Sequence, residues 1–349
     1  MYAVLQLRAP QHGLGGLHPR AALGHGRAGL CWTTALRSCI RPAILAAAIS
    51  PYSPPRLMRP AIESIPASPD HRSGIAHDLP PASAGWRLED FDFGGIDKTL
   101  ANQEDEPLLL MLVASSFVEA GTHLYASNLI AHFEDDSEVA TWLAEIWERE
   151  ELQHGRALRT YVANAWPAFD WERAYAGFMK DYRPLCTMGK LESRRGLEMA
   201  ARCVVETGTT ALYRGIHERL HEPVLSMLVR RISEDEVGHY KRFFRYFRKY
   251  QQEEHSGRAA VLGALIRRSI EIVSEDTGCA LRHAYVERYC QDMASRPTFE
   301  EVRIAVNARL RNSVPLGLAA AMWLRPLQLN CRIERQIRRV FPLIARLVV

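Results

Sequence analysis

The sequence predicts an all-α fold, a four-helix bundle with a long crossover and a C-terminal helical extension. Three observations predict it. Four long stretches, about 108–133, 137–164, 194–220 and 224–250, carry helical patterning, and no stretch alternates as a strand would. Polar breaks at Asp135-Asp136 and at His221-Glu222-Pro223 fold these stretches into two hairpins, because proline forbids continuation of one helix and suits the start of the next. Each hairpin also carries a lone glutamate followed about thirty residues later by Glu-x-x-His, and the break lies midway between the two. The matched residues therefore stand level in both hairpins.

Along the chain, residues 1–62 contain no Asp or Glu and are rich in Arg, Ala, Gly, Pro and His, without sustained helical periodicity. Such a start fits a transit-like leader or upstream DNA read from an early start, with Met58 or a later position as the true beginning. Residues 63–85 read as linker, so 1–85 forms a disordered or non-native extension. From Trp86 the composition changes, and Trp86, Phe91 and Phe93 are expected to pack on the bundle, which occupies 86–256. After the polar approach Gln103–Glu106, the first core helix, Leu108–Phe133, is apolar on most sides. Its Ala114, Ser115, Ser116, Ala120 and Gly121 favour close helix packing over a substrate cavity. Ser137 is expected to cap the second helix. The segment 165–193, with a short helix near Trp171–Tyr182, is long enough for the crossover. Beyond Gly257, helical stretches about 258–274, 281–293, 298–312 and 316–349 form the extension, packed on the bundle.

The chemistry lies in the paired motifs. Glu119 precedes Glu151-Leu152-Gln153-His154, and Glu206 precedes Glu236-Val237-Gly238-His239. On a helix, residues i and i+3 share a face, so each Glu and His point their donors the same way. One Glu-x-x-His alone is usually a solvated pair. Two at level positions, each joined by a glutamate in an apolar helix, bury four carboxylates that cost several kcal/mol each unless a cation compensates them. Metal ligands Glu119, Glu151, His154, Glu206, Glu236 and His239 follow. Hard oxygen donors with two imidazoles suit iron or manganese over structural zinc, and iron is the expected metal. His123, four residues after Glu119, is a seventh ligand only if it escapes a packing or outer hydrogen-bonding role, and Asp235 is a candidate to orient a histidine. His217-Glu218-Arg219-Leu220-His221 matches the zinc-protease motif, but it sits where a helix is ending before Pro223 and carries Arg219 inside.

The arrangement is the one found in ferritin-like di-iron carboxylate bundles. Within them, Glu150-Glu151-Leu152-Gln153-His154-Gly155, Asp235-Glu236-Val237-Gly238-His239 and Glu206-Thr207-Gly208-Thr209 resemble soluble acyl-carrier-protein desaturases over roughly residues 105–250. The resemblance implies a ferritin-like four-helix bundle binding two iron ions per chain through those six residues. It also implies Thr209 near the oxygen-binding face as a catalytic residue, reduction by a ferredoxin-type donor, and a homodimer. An O2-dependent oxidoreductase acting on an acyl chain is then expected, with a substrate cavity near Ala120, Gly208 and Thr209. Other di-iron oxygenases, such as a hydroxylase or an amine N-oxygenase, share the ligands. A non-catalytic iron-binding protein fits less well, since roughly ninety residues follow the fourth helix.

The remaining composition sets partners. A net charge of +4 is mild, and thirty-nine arginines against five lysines are read as genome bias rather than as nucleic-acid binding. Seven cysteines form no Cys-x-x-Cys pair, which fits a reducing compartment, and the cytoplasm is expected. The run 241–249 places Arg242, Arg245 and Lys249 on one side of a helix, with Phe243, Phe244 and Phe247 inward. That surface is either a dock for an acidic acyl carrier protein or a solvated basic face. Val314–Leu324 is apolar but too short to span a bilayer, and packing on the bundle is favoured over an interfacial contact.

Overall fold

The computed structural model describes residues 85–101, 105–290 and 296–338, so the expectations for the N-terminal extension, the end of the 281–293 stretch and the last residues to Val349 lie outside it. The described residues are all-α, with no strand among them.

Helix α1, Glu106–Ala120, starts where Asp105 accepts from the Leu108 amide and Pro107 takes a first-turn place. The expected single helix to Phe133 breaks at Gly121-Thr122. The chain bends by 42° and continues as α2, His123–His132. The rings of Phe178 and Tyr182 crowd Gly121, leaving little room for a side chain there. Asp136, not Ser137, caps the next helix, accepting from the Val139 amide as well as from Lys249 and the Tyr250 hydroxyl. That helix runs as α3, Ser137–Trp142, then a π-helical stretch, Leu143–Trp147, and then α4, Glu148–Ala165. A π stretch inserts an extra residue into the ladder, and such insertions gather at functional sites.

After α5, Trp171–Tyr182, come α6, Arg195–His217, and α7, Pro223–Glu254. Glu222 is fully buried in the turn between them, where it accepts from the amides of Val224 and Leu225 and from the Tyr161 hydroxyl of α4. That one carboxylate caps α7 and fixes the turn against the other hairpin. Helices α1 and α4 pack together, α6 and α7 pack together, and α4 meets α7. Ahead of them, Trp86 and Phe91 are buried edge to face, as expected.

The C-terminal helices are α8, Arg258–Glu271, a π stretch Ile272–Asp276, α9, Thr277–Arg288, α10, Phe299–Ser313, and α11, Leu316–Leu324. The break expected near 274–281 is thus a π stretch in a continuing helix. Thr298 caps α10 in a reciprocal box with Glu301. Helices α8 and α11 pack on α6, while α9 and α10 pack on α1. A buried ion-pair set joins α8 to α6: Glu198 meets Arg202 at 2.9 Å and Arg268 at 3.4 Å. Among the described residues, no single helix is long and apolar enough to cross a membrane.

Candidate metal centre

The six expected ligands converge. Glu119 comes from the last turn of α1, Glu151 and His154 from α4, Glu206 from α6, and Glu236 and His239 from α7. They form two groups whose donor atoms lie within 4.8 Å of one another: Glu119, Glu151, His154 and Glu236, and then Glu151, Glu206, Glu236 and His239. Glu151 and Glu236 belong to both. All six residues are at most 5% exposed.

Gly155 is the reason α1 and α4 approach this closely. A Cβ there would lie 2.5 Å from the Ala120 nitrogen, so only glycine admits the contact that sets Glu119 beside His154. The small residues of α1 divide between two tasks. Ala120 packs on Gly155, while Ala114 and Ser115 line a cavity.

Each histidine is oriented by the acid that precedes the glutamate of the other motif. His154 Nε2 meets Asp235 Oδ2 at 3.1 Å, and His239 Nε2 meets Glu150 Oε2 at 2.8 Å. A carboxylate facing Nε2 favours a proton there, which leaves the Nδ1 lone pair of the neutral ring aimed at the cluster. Nδ1 of His154 stands 3.3 Å from Glu236 Oε1, and Nδ1 of His239 stands 3.1 Å from Glu151 Oε1. Trp86 stacks on His154 and donates its indole N–H to Asp235 at 2.7 Å. The orienting role weighed for Asp235 is therefore present. Glu150 was missed, although it holds the same place in the first motif that Asp235 holds in the second.

Burial and mutual repulsion raise the carboxyls of Glu119 and Glu151, and push Glu206 up to about 8. Burial would raise Glu236 too, but the two imidazoles beside it outweigh that and hold it well below the usual carboxylate range. Burial opposes charge on His154 and His239, yet Asp235 and Glu236 at one and Glu150 and Glu151 at the other raise both. Glu151 Oε1, both oxygens of Glu206, Glu236 Oε1 and the Nδ1 atoms of both histidines have no hydrogen-bond partner among the described residues. Buried donors and acceptors left without a partner are costly, and a cation at each group satisfies them together. The residues fit metal ions.

His123 does not join them. It is exposed on α2, with Nδ1 at 3.1 Å from the Ala120 carbonyl. The bend after Glu119 removes the shared face that four-residue spacing gives on an unbroken helix. His217 ends α6 and contacts Ser226, while Glu218–His221 lie outside the helices, so the zinc-protease spacing has no common face.

Thr209 donates to Glu236 Oε2 at 2.7 Å, and Tyr213 donates to Glu119 Oε1 at 2.5 Å. Both line an apolar cavity of about 220 Å³ that reaches Glu119. Gly208 lines it too, as expected, but Ala120 does not. Its outer wall comes from the C-terminal helices, through Leu281, Leu310, Ala319 and Trp323 among others. On α7, Lys249 pairs with Asp136 at 2.7 Å and Arg245 with Glu138 at 3.4 Å, while Arg242 lies over the Trp142 ring. Phe243 and Phe247 are fully buried and Phe244 partly so. Compared with known proteins, the chain matches no family model and no curated protein.

Proposed function

We propose that the chain is an O2-dependent di-iron oxidoreductase with a ferritin-like four-helix bundle, taking hydrogen from an apolar, acyl-type chain. The observation that carries this reading is the apolar cavity ending at Glu119, Thr209 and Tyr213. Glu119, Glu151, His154, Glu206, Glu236 and His239 would hold the iron, which would supply the oxidation by O2 that an unactivated C–H bond requires and no side-chain base provides.

The chain's own residues place the substrate and exclude water. At about 220 Å³ the cavity is below the roughly 300–1,000 Å³ of pockets for bulky ligands, so it suits a slim chain segment. Val118, Val204 and Leu212 offer such a segment no polar partner and hold it against the buried carboxylates. Thr209 Oγ1 keeps a proton on the Glu236 Oε2 side, at the cavity face. The desaturase resemblance supports a ferredoxin-type electron donor and a homodimer, and the basic run at Arg242, Arg245 and Lys249 is a candidate dock for an acidic acyl carrier protein, although Arg245 and Lys249 already pair with Glu138 and Asp136.

The test is anaerobic loading of the full chain with Fe(II), metal counting, and single turnover with a chemical reductant, O2 and a panel of acyl chains. About two irons per chain are expected, with loss of two hydrogens from the chain as product. Gain of one oxygen instead identifies a hydroxylase. Wild-type protein that takes up no iron sinks the reading altogether.

A further inference from the structure

The two glutamates that belong to one group each, Glu119 and Glu206, differ in how their oxygens are engaged. Glu206 has both carboxylate oxygens without a hydrogen-bond partner among the described residues. Glu119, its counterpart in the other group, has Oε1 taken by the Tyr213 hydroxyl at 2.5 Å, while Oε2 turns toward the cluster, 3.9 Å from His154 Nδ1. Of the two glutamates that belong to one group each, Glu119 thus has one oxygen already engaged where Glu206 has none. The group containing Glu119 is also the group beside the cavity, because Glu119 is the one candidate ligand among the cavity-lining residues.

Tyr213 is built to keep this difference. Its side chain is fully buried, so its hydroxyl cannot turn to solvent. Among the described residues, the partner found for that hydroxyl is Glu119. A phenol is rigid, and a short hydrogen bond to a carboxylate in a water-poor site is strong. For Glu119 to chelate a cation with both oxygens, Oε1 would have to serve the cation and the phenol at once, weakening the hydrogen bond of a buried hydroxyl.

We propose that Tyr213 is a positioning residue: by occupying Oε1 of Glu119 it limits that glutamate to one-oxygen coordination. A coordination place then stays open on the cavity side of the Glu119–His154 group, and a small ligand entering through the cavity binds there rather than at the Glu206–His239 group. This rests on the two-metal reading above, and it adds which of the two metals meets substrate or oxygen.

The experiment uses the full chain loaded with Co(II), whose visible absorption weakens as coordination number rises, with azide as the small ligand. Wild-type protein is expected to bind two cobalts and to change its spectrum on azide addition. Tyr213→Phe should keep both cobalts, show weaker absorption, and bind azide at least tenfold more weakly, because the freed Glu119 closes the place. Unchanged azide affinity and spectrum in a folded, cobalt-loaded Tyr213→Phe protein overturns the proposal while leaving the two-metal reading intact. Wild-type protein that binds no cobalt overturns both. A crystal structure of the cobalt-loaded wild type decides independently of any variant: Glu119 bound through Oε2 alone and Glu206 through both oxygens supports it, and a chelating Glu119 refutes it.

Discussion

Gly155 faces Ala120 so closely that a methyl group on the glycine would stand 2.5 Å from the alanine nitrogen and 2.8 Å from its Cα. Both are backbone atoms, which cannot step aside as a flexible side chain does. Gly155→Ala sets two effects against each other. Helix propensity favours alanine by up to about 1 kcal/mol, while forced separation of packed helices costs about 1–3 kcal/mol. The clash wins, so a lower melting temperature is expected. Weaker metal binding should accompany it, since His154 is the adjacent residue. A variant with wild-type melting and metal affinity would show that the contact relaxes freely.

The outer acids are expected to divide the two metals between them. Asp235 orients His154 and Glu150 orients His239, so Asp235→Asn should weaken one site and Glu150→Gln the other. Loss of such a partner typically costs about 10–100-fold in metal affinity. Asp235 is 12% exposed and also held by Trp86, whereas Glu150 is 29% exposed and water can replace it in part. The Asp235 effect should therefore be the larger. Two-phase cobalt titrations read this directly, and equal loss at both sites in either variant would contradict the pairing.

This pairing also shows how much the sequence revealed. The six ligands were legible because helix geometry converts three-residue spacing into a shared face, and because the Asp135-Asp136 and His221–Pro223 breaks set the two hairpins level. Glu150 was legible as well, standing in its motif where Asp235 stands in the other. His123 stays out of the cluster, as the favoured packing or outer role has it, and the bend at Gly121-Thr122 that takes it off the face of Glu119 is not visible in residue spacing. Tyr213's bond to Glu119 spans 94 residues, and Trp86's bond to Asp235 spans 149. The cavity's outer wall is likewise assembled from α8 to α11 by apolar packing, which no local pattern encodes.

Metal stabilisation should grow with pH. In the metal-free protein Glu206 is raised from the ordinary 4.5 to about 8, and both histidines are raised as well. The folded state therefore binds these protons more tightly than the unfolded state does. Their contribution to stability is greatest at low pH and is lost as pH rises toward the folded values, from about 4.5 to about 8 for Glu206. Glu236, being depressed, contributes a constant amount above its ordinary value and does not alter the trend. Metal ions displace the protons, so binding strengthens as pH rises. The melting-temperature gap between loaded and metal-free protein should widen from about pH 6.5 to about 8. A gap that is flat or narrows over that range would count against proton-for-metal exchange at these residues.

Gly208 is the counterpart of Gly155 with the opposite expectation. It lies in the middle of α6 on the cavity wall, and a Cβ built there meets nothing within 4 Å. No turn, close approach or left-handed backbone requires glycine at that position. Gly208→Ala should raise stability by roughly 0.5–1 kcal/mol through helix propensity and the smaller entropy of the unfolded chain. Gly208→Leu should keep that gain in part while projecting a branched side chain into the cavity, two residues from Glu206 and one from Thr209. Metal content should be unchanged, because Gly208 is not among the ligand groups. Apolar ligands should bind at least tenfold more weakly, the loss of about 1.4 kcal/mol expected when a few buried methylenes are displaced. Displacement of a fluorescent fatty acid from wild type and both variants, alongside metal counting, makes the measurement. If Gly208→Leu binds the probe as tightly as wild type, the space beside Glu119 is not where an apolar chain goes, and a substrate entering from another side of the cluster must be sought.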